Sequence, residues 1–221
     1  MVRNEEGNIR GALRKLAAAA ELPHKLEVVV VDSGCTDQTI PTAQNEARSL
    51  PLSVVFARSE ISGRGAALDA GTAVASGEVI FVCHCDCVVP KHFDRMIRDG
   101  LARPGTLATA FRFGLDRAAL QTQPLPGAGV MEFTVNVRSS LLQLPFGDQG
   151  IAICATRLQN YGGWGGAEYP LLEEYQLVQK LRVRTPYNRG QCLLSYRGWF
   201  EFVRLDRWRA GTRAHRDDRD E

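Results

Sequence analysis

Two aspartates stand where open α/β sheets do their chemistry. Asp32 closes the apolar run Leu26-Glu27-Val28-Val29-Val30-Val31, and Asp86 follows Val79-Ile80-Phe81-Val82-Cys83 through His84-Cys85. In such sheets ligands bind beyond the carboxyl ends of the strands. A carboxylate there suits a hard divalent cation that bridges diphosphate oxygens. It equally suits a helix cap. If the strand runs on to Cys87, alternation puts Val79, Phe81, Cys83, Cys85 and Cys87 on one face. Ile80, Val82, His84 and Asp86 then share the other. The three aligned cysteines read either as a thiolate metal site or as small buried hydrophobes. The second reading is favoured, because no further Cys/His pair lies nearby at zinc-ligand spacing.

These residues need elements to hold them. Asn4 to Ala20 carries Ile9, Leu13, Leu16 and Ala17 at helical spacing, with Asn4 as the expected N-cap. Pro23 stops it. The valine run after it is continuous rather than alternating, as in a strand covered on both faces. Helix is expected again over 39–50, from Gly63-Arg64-Gly65 to Ala75, and over 91–101. Strands are expected over 52–57 and from Val79. Such alternation means parallel pairing with crossover helices. Further on, 111–116 reads as an edge strand, and 121–129 as a Pro/Gly-rich loop. Residues 130–144 read as a helix with the stripe Val130, Phe133, Val137, Leu141 and Leu144. Ile151 to Cys154 is apolar, and Tyr161 to Gly166 reads as a flexible loop too rich in glycine to pack. A last helix is expected over 171–181.

Composition excludes several classes. With 221 residues, 44% hydrophobic and 24% charged, the chain is of ordinary globular make-up, neither disordered nor collagenous. The net charge of +2 is too balanced to point to nucleic acid. The sequence has no apolar run of the length a membrane span needs. Six cysteines without a secretory leader suggest a reducing, cytoplasmic setting. The last eighteen residues hold six Arg and five acids and read as a solvated tail. The aromatics Trp199, Phe200, Phe202 and Trp208 suggest ordinary packing, with attachment to a membrane surface as the alternative.

Several segments together carry a resemblance. Asn4-Glu5-Glu6, Val28 to Asp32 with Ser33-Gly34-Cys35-Thr36-Asp37, Ser76-Gly77-Glu78-Val79 leading to His84-Cys85-Asp86, Gly147-Asp148-Gln149-Gly150 and Glu173-Glu174 resemble a family-2 glycosyltransferase. In detail the chain is similar to the small subgroup labelled arsenosugar-biosynthesis-type glycosyltransferases, with a histidine version of the Asp-x-Asp motif. The resemblance implies an α/β fold of the GT-A nucleotide-diphospho-sugar transferase type, a mostly parallel sheet flanked by helices. It implies one transferase domain over 1–197, with 1–103 holding the nucleotide-sugar and 104–197 the acceptor, and a charged tail over 198–221. The family's first core strand, between those ending at Asp32 and Asp86, is expected to be missing, since only Met1-Val2-Arg3 precede Asn4.

The resemblance also implies roles. Glu5 and Asp32 would bind the nucleoside of a UDP-sugar, and Arg64 its diphosphate. Asp86 and His84 would hold Mg²⁺ or Mn²⁺, although aspartate is commoner than His84 at that place. Asp148 and Gln149 would face the acceptor, a small molecule or a lipid phosphate. Glu174 would be the catalytic base of an inverting transfer, with Glu173 as the adjacent alternative; an acidic first helical turn is the plain reading of both. Asp69 matches a frequent asparagine and is expected to support helix packing. Two other functional readings stand beside this one. One is a catalytically degenerate nucleotide-binding relative or truncated fragment, and the other a metal or redox protein built on the three cysteines.

Overall fold

A computed structural model of the chain describes residues 1–145, 147–166, 173–183 and 194–202. Elements follow in the order α1 (Glu6–Ala19), β1 (Glu27–Asp32), α2 (Thr39–Ala47), β2 (Ser53–Arg58), α3 (Arg64–Val74), β3 (Val79–Val82), β4 (Cys87–Val88) and α4 (Phe93–Leu101). The second half adds β5 (Ala108–Leu115), α5 (Arg117–Thr122), α6 (Ala128–Leu142), β6 (Ile151–Cys154), α7 (Ala155–Asn160), α8 (Glu173–Val183) and β7 (Leu194–Phe202). The strands lie between two helical layers. One face buries Leu68, Val82, Ile153 and Leu158 with Leu177 and Leu181 of α8. The other buries Phe93 and Ile97 of α4 against Phe81 and Phe111. Neighbouring residues of β3, Phe81 and Val82, thus serve opposite clusters, as alternation requires.

The strands form two groups. β1 pairs with β2 in parallel, Val28 opposite Val54. The other five run in the order β3-β6-β5-β7-β4. Within them β5 and β7 are parallel, and β3–β6, β5–β6 and β4–β7 are antiparallel. β5 is therefore the central strand of its group and not the expected edge. Its burial on both faces at all but Arg112 agrees with that position.

Between β1 and β3 the described residues contain no strand. Val2 alone bonds there, its N–H donating to the Val31 carbonyl at 2.8 Å and its carbonyl accepting from Ser33 N–H at 3.0 Å. Behind Val2 lies a cavity of about 590 Å³ lined by Val28 to Val31 and Val79 to Cys83. β1 still packs closely on α3: a Cβ on Gly71 would sit 2.7 Å from a Val31 methyl.

Four sequence expectations change. The N-cap of α1 is Glu5, whereas Asn4 takes a left-handed conformation (φ 54°) and accepts the Thr36 N–H at 2.8 Å. The apolar stripe of α6 faces outward, with Val130 71% and Leu141 76% exposed. Its inward face carries the buried Glu132, Asn136 and Ser139, flanked by Met131 and Val135 packed on Phe113 and Leu115. Asn136 accepts from Phe113 N–H and donates to the Phe113 carbonyl, both at 2.9 Å, and Glu132 accepts from Leu115 N–H at 2.7 Å. Side chains of α6 thus satisfy backbone groups of β5, and this decides which way the helix turns. The glycine-rich stretch packs: Trp164 is fully buried, its indole N–H donates to Thr72 Oγ1 at 3.0 Å, and its backbone N–H donates to Asp69 at 2.8 Å. Finally, β7 runs through the boundary expected at residue 198, while 203–221, most of the expected tail, lies outside the described residues. Among the described residues no helix is long and apolar enough to cross a membrane.

Candidate functional site

The end of β1 presents Asp32 in a tight side-chain turn. Its Oδ1 accepts the N–H groups of Gly34 at 3.0 Å and Cys35 at 2.8 Å. These bonds, the one from Cys35 foremost, hold the Asp32 carboxyl below the usual range, so it stays ionised. The bridge at Val2 brings Glu5 alongside. Glu5 is buried; Asn8 donates to its Oε2 at 2.6 Å, and its N–H donates to Thr39 Oγ1 at 2.7 Å. Two carboxylates therefore flank the end of β1, each oriented by fixed donors.

The second strand end differs from the expected alternation. β3 stops at Val82, and His84 to Cys87 forms a turn closed by Cys87 N–H on the His84 carbonyl at 3.3 Å. The cysteines do not share a face. Cys83 and Cys87 pack with Phe93, whereas Cys85 packs with Ile9 and Leu13. Burial pushes the Cys83 thiol up to about 11 and the Cys85 thiol up to about 12, and raises Cys87 as well. These are protonated, inert side chains rather than thiolate ligands.

His84 is likewise desolvated, and its pKa falls to about 4, helped by the Arg64 charge. It is neutral at physiological pH, and its Nε2 lies 3.1 Å from Arg64 Nη2. Since guanidinium nitrogens only donate, Nε2 is the acceptor and carries a lone pair. Asp86 lies two residues on, half-buried in the same turn. Among the described residues no three metal-ligating side chains cluster. A histidine and a carboxylate nevertheless fit Mn²⁺ or Mg²⁺ of the kind that takes its remaining ligands from substrate phosphates and water.

The opposite wall comes from far along the chain. Arg64 opens α3, after Gly63 at φ 121°. Its Nε donates to Glu173 Oε1 at 2.6 Å and its Nη2 to Glu174 Oε1 at 3.0 Å. Both carboxylates are buried, Glu173 completely. Burial, and then the neighbouring Glu173 charge, push the Glu174 pKa up, against the pull of Arg64. Gly147 closes the cluster from below. A Cβ there would land on Glu174 Oε1 and come within 2.8 Å of Arg64 Nη2 and 2.9 Å of His84 Nε2. Asp148 follows it; burial raises its pKa, and its Oδ1 has no hydrogen-bond partner among the described residues.

The structure thus brings together His84, Arg64, Glu173 and Glu174 around Gly147, with Asp148 in electrostatic reach of Arg64. Gln149 is placed otherwise than the sequence suggested. It is fully buried, accepts from Ser139 Oγ at 2.6 Å and donates to the Phe111 carbonyl at 3.1 Å. Both ends of its amide are taken up in tying α6 to β5 beside Asp148. Gly147 and Ser139 went unassigned in the sequence reading; the Gly147-Asp148 pair was a signal for the first, and nothing marked Ser139.

Residues 1–153 match the family model described as glycosyl transferase family 2. No curated protein sequence matches the chain. Among solved structures, the chain is similar to the mannosyltransferase PcManGT from Pyrobaculum calidifontis in complex with GDP-Man and Mn²⁺. The TM-score is 0.66 at 19% identity, over 100% of this chain and 64% of that one. It is also similar to S. aureus TarS 1-349 in complex with UDP, with TM-score 0.66, 16% identity, and 90% and 57% coverage. Glucosyl-3-phosphoglycerate synthase from Mycobacterium tuberculosis, in complex with Mn²⁺, UDP-glucose and phosphoglyceric acid, gives TM-score 0.57 and 18% identity over 88% of this chain and 66% of that one. The chain therefore spans 57% to 66% of the length of these structures. The fold they share with it is GT-A.

Proposed function

The chain belongs to glycosyl transferase family 2, and from that premise we propose that it moves a sugar from a nucleotide-diphosphate donor to an acceptor, with inversion at the anomeric carbon. The observation that carries this reading is the convergence of Arg64, His84 and Glu174 on Gly147, at the turn that follows β3. Asp32 and Glu5 take the nucleoside of a UDP-sugar, because ionised, oriented carboxylates accept hydrogen bonds from ribose hydroxyls and base N–H groups. Arg64 supplies cationic donors to the diphosphate. His84 and Asp86 are the residues that would hold Mg²⁺ or Mn²⁺. That ion, when bound, neutralises charge building on the leaving diphosphate.

Glu174 is the base. The acceptor oxygen attacks the anomeric carbon from the face opposite the diphosphate, and its proton passes to the Glu174 carboxylate. The bond from that carbon to the phosphate oxygen breaks, its electron pair leaving with the nucleoside diphosphate. The buried site and a pKa raised above the ordinary glutamate value support Glu174 in this role, as perturbed carboxylates gather at functional sites. Asp148 orients the acceptor, and Gln149 holds that segment in place. The acceptor is a small hydroxyl compound. A lipid phosphate is the second reading, favoured by the outward apolar stripe of α6, the helix that also carries Ser139. A hexose donor and an arsenosugar-type product are the finer form of the reading.

The test is release of nucleoside diphosphate from a panel of UDP- and GDP-sugars with small-molecule and lipid-phosphate acceptors. Turnover that needs Mn²⁺ or Mg²⁺ and disappears in Glu174→Gln is expected. No release with any donor, or turnover unchanged by Glu174→Gln, overturns the reading.

A further inference from the structure

Among the described residues Arg64 is the side chain that bonds Glu173, Glu174 and His84 together. Its shortest bond, 2.6 Å, goes to Glu173 rather than to Glu174. Exposure decides which partner can move. The Glu173 side chain is 0% exposed and Glu174 5%, whereas Arg64 is 40% exposed, so the guanidinium has a solvent side to turn toward. The carboxylates are fixed on α8. Glu173 Oε2 has no hydrogen-bond partner among the described residues, so the hydrogen bond by which Glu173 grips the site runs from Arg64 to Oε1, beside its direct charge on Glu174.

Arg64 also begins α3, whose N-cap Gly63 offers no capping side chain. Free N–H groups at a helix start favour an anion. With His84 at 3.1 Å, Arg64 therefore stands between two claimants. One is the buried carboxylate of Glu173, and the other, on the proposed function, the donor's diphosphate.

We infer that Glu173 is a positioning residue that competes with the donor's diphosphate for Arg64. In the ligand-free protein Glu173 holds the guanidinium back on the carboxylate pair, and donor binding turns the fork toward the diphosphate. Turning it also withdraws the Arg64 hydrogen bond from Glu174 Oε1 and leaves that oxygen to the acceptor. This rests on the proposed donor class and goes beyond it: Glu173, the alternative base of the sequence reading, becomes a restraint on donor affinity.

The competition predicts an inverted sign. UDP and GDP, each with Mn²⁺, are titrated calorimetrically into the full chain and into Glu173→Gln, Arg64→Ala and the double variant. Glu173→Gln should bind the favoured nucleoside diphosphate tighter by about three- to tenfold, the size of coupling between groups in contact. Arg64→Ala should bind it about tenfold or more weakly, as for a lost hydrogen bond to a charged group. In the Arg64→Ala background the gain from Glu173→Gln should vanish, which a merely structural glutamate would not produce. Glu173→Met repeats the comparison with an apolar side chain of similar size, should the glutamine variant melt early. Unchanged or weaker binding in both Glu173 variants overturns the competition alone. Absence of binding by either nucleoside diphosphate to the parent chain overturns the donor reading and the competition with it.

Discussion

The two halves of the site use the same residue types under opposite conditions. At the end of β1, Asp32 is half-buried and accepts two backbone N–H groups, and its pKa is lowered. In the wall built by α8 and the Gly147 turn, Glu174 and Asp148 are desolvated, and their pKa values are raised. Carboxylates whose environments push their pKa values apart have separate jobs. In the proposed reaction the first kind holds the nucleoside by accepting hydrogen bonds. Of the second kind, Glu174 takes the acceptor's proton and Asp148 orients the acceptor. Glu5 belongs to the first half by its place beside β1 and its bond from Asn8. Glu173 belongs to neither, being fully buried and committed to Arg64.

Substitution at the two acids sets the comparison its severest test. Glu174→Gln keeps the shape and removes the base, so turnover should fall by about 10²- to 10⁴-fold while nucleotide still binds. Asp32→Asn should do the reverse, weakening nucleotide binding by about tenfold with kcat little changed. Steady-state release of nucleoside diphosphate, read as kcat and KM separately, decides it. Equal losses of kcat in both variants would break the division between the halves.

The next effect concerns what holds the second half rigid. Trp164 is fully buried and pinned at Thr72 and Asp69 on α3. Trp164→Ala should cost about 3–5 kcal/mol, as for a large aromatic removed from a core. Trp164→Phe, which loses the indole bond and part of the ring volume, should cost less, about 1–3 kcal/mol. Urea unfolding measures both, and a mild effect of alanine would mean that the glycine-rich turn contributes little to the wall. Gly147→Ala comes next. Its Cβ meets Glu174 Oε1 as well as Arg64 and His84, so about 1–3 kcal/mol of stability should go with it. Activity should fall further than stability, because the displaced atoms are those of the proposed base and its cation.

The end of β1 was legible in the sequence, and the wall around Gly147 much less so, for physical reasons. A run such as Val28 to Val31 ending in Asp32 announces a covered strand and a polar end in consecutive residues. Arg64 and Glu173 are 109 residues apart, and nothing local records that they meet. The rule that a helix buries its apolar stripe misleads on α6, where Asn136 and Glu132 face inward because the backbone of β5 needs partners. Period-two alternation fails at His84 because a turn, not a strand, carries the site residue. The position of Gln149 turned on a partner, Ser139, that no motif marks.

The smallest effect is the dependence of stability on pH, and its sign separates the halves. Asp32 has a folded pKa below its ordinary 3.8. The unfolded chain therefore binds its proton first as pH falls, so the stability Asp32 contributes is complete above 3.8 and drains away as pH drops through the lower folded value. Glu174 has a folded pKa above 4.5. There the native state keeps its proton longer, so stability declines as pH rises from 4.5 through the raised value and then levels off. Asp148 acts in the same direction, starting from 3.8. Asp32→Asn should therefore flatten the acid limb of a melting-temperature profile, and Glu174→Gln the limb above it. Each variant should leave the other limb in place. Two variant profiles that both run parallel to the parent would remove the electrostatic contrast, whatever the kinetics showed.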